Sequence, residues 1–288
     1  MTCSRRARAC RLAAAALLGL AMIAQARGQS AETLDLCVYR LVFDEDFSDF
    51  RVAPRQLGDA RWIAHTPWNG DFGDAAFSDP GPDGPFSVSG HTLSITARKS
   101  ADGRWRSGLI AAADGSGKGS GVRYGYFEAS LRMPPGPGTW PAFWLGTLKP
   151  GSDKSPGIEI DVIEYYGHAD GGYRSAVHVW YEGKDKPLSR HRSQYVPVEP
   201  GSLVTGFHTY GARVTPEDIT FYLDRRPVWR TPTPPEHRLP LFPLVNLALG
   251  SGFSIKDTPN PSVLQVGRVR IYEVEPARAA RCRALNLG

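Results

Sequence analysis

The sequence predicts an all-β protein, an antiparallel β-sandwich of two sheets. Three observations favour this class: short runs of alternating apolar and polar residues, frequent turn residues between them, and no amphipathic helical pattern of ten or more residues. With 31 glycines and 24 prolines in 288 residues, turns account for most connections. Alternation over five to eight residues is typical of strands with one buried face, and two such sheets bury those faces against each other.

The candidate strands follow one another without an internal repeat, a low-complexity tract or a domain linker. The clearest alternating runs are 92–97, 125–132, 175–180, 219–223 and 266–272. The stretch 70–85 is rich in glycine, proline and aspartate, so we expect a long surface loop there. Together these features predict a single domain over residues 27–288.

Residues 1–26 have the pattern of a signal peptide. Four arginines precede an apolar run from 12 to 23, and Ala-Gln-Ala at 24–26 has the small-x-small pattern of a cleavage site. The apolar run is short for a membrane span, and no later segment is long enough. We therefore expect a secreted or periplasmic protein with no membrane partner after cleavage. An uncleaved anchor is the alternative.

Removal of this leader changes both the charge and the cysteine count. The formal net charge of +5 includes the leader's four arginines, so the mature chain is near +1 and nucleic acid is not an expected partner. Two of the four cysteines remain, Cys37 and Cys282, just outside the first and last candidate strands. In an oxidising compartment we expect a disulfide between them, with two free thiols as the alternative.

Three carboxylates lie within a segment that otherwise has the composition of a buried strand. In residues 157–166, Glu159, Asp161 and Glu164 alternate with isoleucine, valine and tyrosine, which favour strands. Such carboxylates lose hydration and repel one another, so packing gives little reason for them. Glycoside hydrolysis gives a reason, because it needs one ionised carboxylate and one protonated carboxyl group. Unrelated acids on a polar strand face are the alternative.

The spacing of these acids predicts a local irregularity. On a regular strand Glu159 and Asp161 share one face, and Glu164 points to the other. A β-bulge between Asp161 and Glu164 would bring all three to the same face. Glu159 and Glu164 would then be about 13 Å apart at Cα, and their carboxyl groups could approach to about 5–6 Å. That separation is typical of a retaining mechanism.

The segment Glu159-Ile-Asp-Val-Ile-Glu164 resembles the active-site strand of glycoside hydrolase family 16 in its bulged form, Glu-x-Asp-x-x-Glu. Further segments are similar to family blocks in the same order: 41–47, 124–145, 207–211, 215–224 and 242–250. The resemblance runs from about residue 40 to 273. It implies a concanavalin-like β-jelly roll in which a curved sheet forms the substrate cleft.

The resemblance also implies a role for each acid. The family order makes Glu159 the nucleophile and Glu164 the general acid/base, with Asp161 between them as electrostatic support. Glu159 must be ionised to attack the anomeric carbon. Glu164 must be protonated to assist the leaving sugar, and a neighbouring charge and partial burial would raise its pKa.

Aromatic and polar residues near this strand are candidate substrate-binding residues, because sugar rings present apolar C–H faces as well as hydroxyl groups. Trp140 and Trp144 lie in the matching family block, and His178 and Trp180 share one face of a strand. The candidates are Trp140, Trp144, His178, Trp180, Trp68 and Asn69. For each aromatic residue and for His178, a place in the core is the alternative.

One segment departs from the family pattern. Many members bind a structural calcium through an aspartate in a C-terminal strand, and Gly267 occupies that position here. Because calcium prefers carboxylate oxygens among its ligands, a structural calcium is doubtful and no cofactor is expected. His65, His168 and His191 show no metal-ligand spacing and are predicted to lie on the surface.

The resemblance implies a secreted retaining endo-glycosidase that hydrolyses internal β-glycosidic bonds of a polysaccharide. The bulged motif favours a β-1,3/1,4-glucan, and a bacterial exopolysaccharide is a further expectation. We expect a monomer with the polysaccharide as its partner. Two alternatives stay open: a transglycosylase and a non-catalytic glycan-binding sandwich. The presence of both Glu159 and Glu164 argues against the second.

Overall fold

The computed structural model describes residues 33–68, 70–278 and 282, so the predicted signal peptide, residues 1–26, lies outside the described residues. The described strands are β1 (Tyr39–Glu45), β2 (Val52–Ala53), β3 (Trp62–Ile63), β4 (Ala76–Phe77), β5 (Phe86–Ser89), β6 (Thr92–Lys99), β7 (Trp105–Ser107), β8 (Leu109–Ala111), β9 (Gly125–Arg132), β10 (Thr139–Thr147), β11 (Gly157–Glu164), β12 (Gly172–Trp180), β13 (Arg190–Pro197), β14 (His208–Val214), β15 (Asp218–Leu223), β16 (Arg226–Pro232), β17 (Leu241–Leu249) and β18 (Ser262–Val274). Two short helical segments lie between these strands, a 3₁₀ turn (Gly183–Leu188) and helix α1 (Ser202–Thr205), and residues 276–278 after β18 are also helical.

The strands form two sheets, which confirms the predicted sandwich. The ten-stranded sheet has the order β16-β15-β14-β9-β18-β6-β7-β4, with β1 paired to β18 and β5 to β6. The eight-stranded sheet has the order β13-β12-β11-β10-β17-β8-β3-β2. The prediction of a purely antiparallel sandwich is wrong in one detail. The two-residue strand β2 pairs in parallel with β3, and the two-residue strand β4 pairs in parallel with β7. Large sheets often contain such a mixture of parallel and antiparallel pairs.

Alternation along the strands separates the core from the two outer faces. In β9, Phe127, Ala129 and Leu131 are buried between the sheets, whereas Glu128 and Ser130 point to the outer face of the ten-stranded sheet. Strand β17 is buried at all nine positions because a second cluster, which includes Leu244 and Phe77, covers its other face. A strand covered on both sides is near-continuously apolar for this reason.

A covalent bond ties the two ends of the domain together. Cys37 and Cys282 form a disulfide with a Cα–Cα distance of 6.1 Å across a sequence separation of 245, which confirms the predicted pairing. In the chain-entropy description, a loop of this length stabilises the fold by at most about 5 kcal/mol. Within the described ranges, the structure contains no helix with the length and apolar character needed to span a membrane.

Candidate active site

A bulge in β11 brings the three acids to one face of the eight-stranded sheet. Asp161 pairs with Ala176 of β12, and Glu164 pairs with Arg174, so three steps on β11 match two steps on β12. The pairing with β10 shifts at the same place. The extra residue restores Glu164 to the face of Glu159 and Asp161, as the sequence predicts. Because this face points away from the core, Glu159 and Glu164 keep part of their surface exposed, whereas Asp161 between them is buried.

Glu159, Asp161 and His178 form a tight cluster at the start of this face. One oxygen or nitrogen atom of each side chain lies within 4.8 Å of the others. His178 pairs with Glu159 in the strand register, and its Nε2 lies 3.1 Å from Asp161 Oδ2. Two carboxylates and an imidazole are also donors that a transition metal accepts. The predicted positions of Glu159, Asp161 and His178 therefore come together in space.

The acids lack the cationic partners that usually accompany buried carboxylates. Among the residues that the structure describes, neither lysine nor arginine forms an ion pair with Glu159, Asp161 or Glu164. Burial, together with the charge of Asp161, raises the pKa of Glu159 to about 8, although His178 and a hydrogen bond from Trp180 act in the opposite direction. Burial and the charge of Glu164 also raise the pKa of Asp161. Burial therefore favours the neutral form of both Glu159 and Asp161, which the sequence analysis did not foresee.

Two aromatic side chains hold Glu164. The indole Nε1 of Trp140 and the hydroxyl of Tyr166 both donate to Glu164 Oε1, each at 3.1 Å. The two rings stack with an angle of 12° and a centroid separation of 6.3 Å. Trp140 is therefore a direct neighbour of a proposed catalytic acid. Sequence analysis missed Tyr166, although its spacing of two residues from Glu164 is a signal for the same face.

An aromatic wall borders the acids on the side of β10. Trp144 is buried at 4% exposure, and its Nε1 donates to Asn246 Oδ1 at 2.8 Å. Trp68 lies edge-on to Trp144 and keeps 43% of its surface exposed. Trp144 therefore forms the base of the wall, and Trp68 is the ring with surface to offer a sugar. Asn69, predicted beside it, lies outside the described residues.

A second aromatic group borders the acids on the side of β12 and β13. The ring of His178 stacks on Trp180 at 5.0 Å and on His191 at 5.3 Å. Trp180 is 46% exposed, so its face is open to solvent beside Glu159. His191 is exposed, as predicted, but it belongs to this stack, and the pairing of β12 with β13 places it there.

The prediction that His65 lies on the surface is wrong. The side chain is buried, with Nδ1 at 2.6 Å from Asp71 Oδ2 and Nε2 at 3.0 Å from Asp79 Oδ1. Both ring nitrogens face carboxylates, so both can donate only when the ring is protonated. These two contacts of His65 hold Asp71 and Asp79 together. Phe72, next to Asp71, lies against Trp144 with a ring-centroid distance of 6.0 Å. His168 is exposed, as predicted.

The surroundings of Gly267 do not fit a calcium ion. Gly267 lies at a bulge of β18 and carries no ligand atom in a side chain. The carboxylate of Asp44, on the neighbouring strand β1, accepts hydrogen bonds from Arg268 at 2.7 and 2.6 Å and from Arg270 at 3.3 Å. Guanidinium groups repel a divalent cation, and they occupy the carboxylate that would attract it.

Comparison with known proteins gives a family match and curated relatives. The model of the family described as glycosyl hydrolases family 16 matches residues 84–253. The endo-1,3-1,4-beta-glycanase ExsH of Rhizobium meliloti (strain 1021) is 33% identical over 196 residues, which cover 65% of this chain and 38% of that protein. The endo-1,3-1,4-beta-glycanase EglC of the same organism is 33% identical over 178 residues, 58% of this chain and 34% of that protein. This chain thus spans less than half the length of both relatives.

A solved structure extends the similarity to most of the described fold. The X-ray structure of the laminarinase from Rhodothermus marinus is 25% identical and has a TM-score of 0.62. The match covers 82% of this chain and 97% of that chain.

Proposed function

Since this chain belongs to glycosyl hydrolase family 16, we propose that it is an endo-acting β-glycanase. Its proposed substrate is a β-1,3/1,4-glucan or a related bacterial exopolysaccharide. The observation that carries the proposal is the bulge in β11, which gathers Glu159, Asp161 and Glu164 on one open face. The curated relatives named as endo-1,3-1,4-beta-glycanases support the choice of polymer.

The proposed mechanism is retaining, with two displacements at the anomeric carbon. Glu159 attacks that carbon and forms a glycosyl-enzyme bond, while Glu164 gives its proton to the departing sugar oxygen. Glu164 then takes a proton from water, whose oxygen displaces Glu159 and leaves the original anomeric configuration. Trp140 and Tyr166 support this step because their hydrogen bonds, both 3.1 Å long, fix the orientation of Glu164.

Asp161 has a defined part in this mechanism. Burial raises the pKa of both Glu159 and Asp161 and so favours a proton on one of the two carboxyl groups. When that proton rests on Asp161, Glu159 is ionised and its neighbour is neutral, so the nucleophile is not repelled. His178, with Nε2 at 3.1 Å from Asp161 Oδ2, gives Asp161 a polar neighbour. Asp161 thereby acts as a positioning residue for the charge of Glu159.

Three expectations accompany this function. The Cys37–Cys282 disulfide supports a secreted or periplasmic location, since such bonds persist in oxidising compartments. We also propose that the enzyme acts as a monomer and without a metal. The Arg268–Asp44 pair supports the absence of calcium. A chelator should leave both the melting temperature and the activity unchanged, and a loss of either would contradict this.

The test is reducing-end release from a panel of laminarin, mixed-linkage β-glucan, xyloglucan, agarose, carrageenan and an acidic bacterial exopolysaccharide. We expect release from one of the glucans or from the exopolysaccharide. Glu159→Gln should be inactive, and Glu199→Gln, which alters an exposed acid, should match the wild type. NMR of the first products should show the β-anomer. An α-anomer would overturn the retaining mechanism.

If the wild type released no reducing ends from any polymer of the panel, the hydrolase proposal would be overturned. Binding to one polymer without release would then favour the glycan-binding alternative. Transfer products that appear only with an added oligosaccharide acceptor would favour the transglycosylase.

A further inference from the structure

The outer face of the ten-stranded sheet contains a pocket of about 430 Å³. It lies on the opposite side of the sandwich from the three acids, because its lining residues alternate along their own strands with core residues that face the other sheet. Ser130 of β9 lines it, for example, while Ala129 beside it is in the core. The volume is within the range of small-ligand sites. Nothing in the proposed hydrolysis uses this pocket.

The base of the pocket is a buried carboxylate held rigidly. Glu128 is 4% exposed, and Arg225 donates to both of its oxygens at 3.0 and 2.8 Å. The hydroxyl of Tyr272 donates to the same carboxylate at 3.1 Å. A paired and hydrogen-bonded acid keeps its partners in one geometry. The floor is therefore preorganised before any ligand arrives.

The three arginines of the pocket retain unused donors. Arg225 donates to Glu128 from Nε and one terminal nitrogen, and Arg268 donates to Asp44 in the same way. Arg270 donates to both Asp44 and Glu128. Among the described residues, the remaining terminal nitrogen of each arginine makes no hydrogen bond. A guanidinium has five N–H donors in a fixed plane, so a set of oriented donors remains for an oxygen-rich ligand.

An exposed aromatic ring stands beside a gap created by glycine. Phe207 lines the pocket and is 43% exposed. A Cβ atom on Gly267 would lie 3.4 Å from the ring of Phe207 and 3.5 Å from Ser130 Oγ. The bulge of β18 places Gly267 at this point, and its glycine leaves the face of the ring open.

We propose that this pocket is a second, non-catalytic glycan-binding site that holds one pyranose ring of a polysaccharide. The apolar C–H face of the ring would pack on Phe207, and its hydroxyl oxygens would accept from the free N–H groups of the arginines. The hydroxyl groups of Ser130 and Thr209 offer further polar contacts. Because the two sites face opposite ways, the pocket retains the enzyme on a polymer while the active site works on another part of it.

The proposal rests on the proposed function only for the polymer, and its test uses protein that cannot turn over. In the Glu159→Gln background, retardation in native gels containing each polysaccharide of the panel measures binding. Phe207→Ala and Gly267→Ser should each weaken retardation about five-fold for one polymer, the scale of one lost aromatic contact. Both sites tolerate the change, since Phe207 is exposed and Gly267 is outside the left-handed region. Leu188→Ala, at 57% exposure, is the matched control.

In otherwise wild-type protein, Phe207→Ala should leave turnover of a short soluble oligosaccharide within two-fold and reduce hydrolysis of the polymer. Retardation that neither pocket variant alters, or no retardation of the Glu159→Gln protein by any polymer, would overturn the proposal. Binding of inorganic phosphate in place of a saccharide, seen by competition, would also overturn it. If the wild-type protein hydrolysed none of the polymers, the proposed function would be wrong, but the binding result for this pocket would still stand.

Discussion

The two outer faces of the sandwich hold buried carboxylates in opposite electrostatic states. On the ten-stranded sheet, Glu128 is paired with Arg225 and Arg270, and the hydrogen bonds from Arg268 lower the pKa of Asp44. On the eight-stranded sheet, burial raises the pKa of Glu159 to about 8, and no arginine or lysine of the described chain offsets it.

This difference distinguishes the acids that stabilise the fold from those proposed to act in catalysis. Both sets lie on outward-facing positions of strands, so an outward position alone does not separate them. The partner separates them, because an arginine stabilises the charged form and burial without one stabilises the neutral form. Carboxyl groups whose pKa is raised and that have no cationic partner are typical of catalytic sites.

Removal of the unpaired acids should give the largest effect on activity. Glu159→Gln and Glu164→Gln should each lower kcat by about 10³-fold or more, since each removes a group that exchanges bonds or protons with the sugar. The fold should not suffer, because the changes remove charge from a buried and repulsive cluster. Initial rates and thermal unfolding of the same samples measure both. If either variant melted well below Glu199→Gln, the claim that these acids do not stabilise the fold would be contradicted.

Removal of a paired acid should give the reverse pattern. Glu128→Gln leaves Arg225 and Arg270 without their carboxylate and should destabilise the protein by about 2–3 kcal/mol. For a domain of this size, that corresponds to a fall in melting temperature of about 4–12 °C. Turnover of a short soluble oligosaccharide per folded molecule should stay within two-fold. Thermal unfolding and rates below the transition check this, and a large loss of kcat with an unchanged melting temperature would contradict it.

The dependence of stability on pH should also differ between the faces. The folded pKa of Glu159 is raised from 4.5 to about 8, so its contribution is complete below pH 4.5 and is lost as the pH rises to about 8. The pKa of Asp44 is lowered from 3.8, so its contribution is present above that value and is lost as the pH falls. Melting temperatures across this range should show a decline on the alkaline side that Glu159→Gln reduces. An unchanged slope in the variant would contradict the assignment.

The smallest expected effect concerns the aromatic face beside Glu159. Trp180→Ala should raise KM about five- to ten-fold. This change corresponds to a loss of about 1–1.4 kcal/mol, the scale of one stacking contact. The effect on kcat should be well below that of Glu159→Gln. A stacking contact with the sugar would stabilise the bound substrate and the transition state alike, and only the hydrogen bond to Glu159 would be lost from the reacting groups. Steady-state kinetics on the preferred polymer decide this, with Leu188→Ala as the control. A change confined to kcat would place Trp180 in charge stabilisation.

Sequence alone predicts the parts of the molecule that depend on local pattern. Alternation predicts the two-sheet sandwich, and the three-residue offset between Asp161 and Glu164 predicts the bulge that the strand pairing confirms. The two remaining cysteines predict the disulfide. Each of these follows from spacing along one segment or from a count of residues.

Features that depend on contacts between distant segments could not be predicted in this way. Glu128 and Arg225 are 97 residues apart, and no local pattern links them. His65 meets Asp71 and Asp79 only because the intervening loop folds back over the sheet. The raised pKa of Glu159 likewise depends on which charges are missing around it, and that is a property of the assembled face.

The Cys37–Cys282 bridge also determines how the domain responds to force. Its two sulfur atoms join positions separated by 245 residues, and the strands of both sheets lie between them. Tension applied to the chain before Cys37 and after Cys282 therefore passes through a single covalent bond and bypasses the hydrogen-bonded sheets. Such tension would leave the catalytic face unstretched, and reduction of the bridge would put the strands in series with the load.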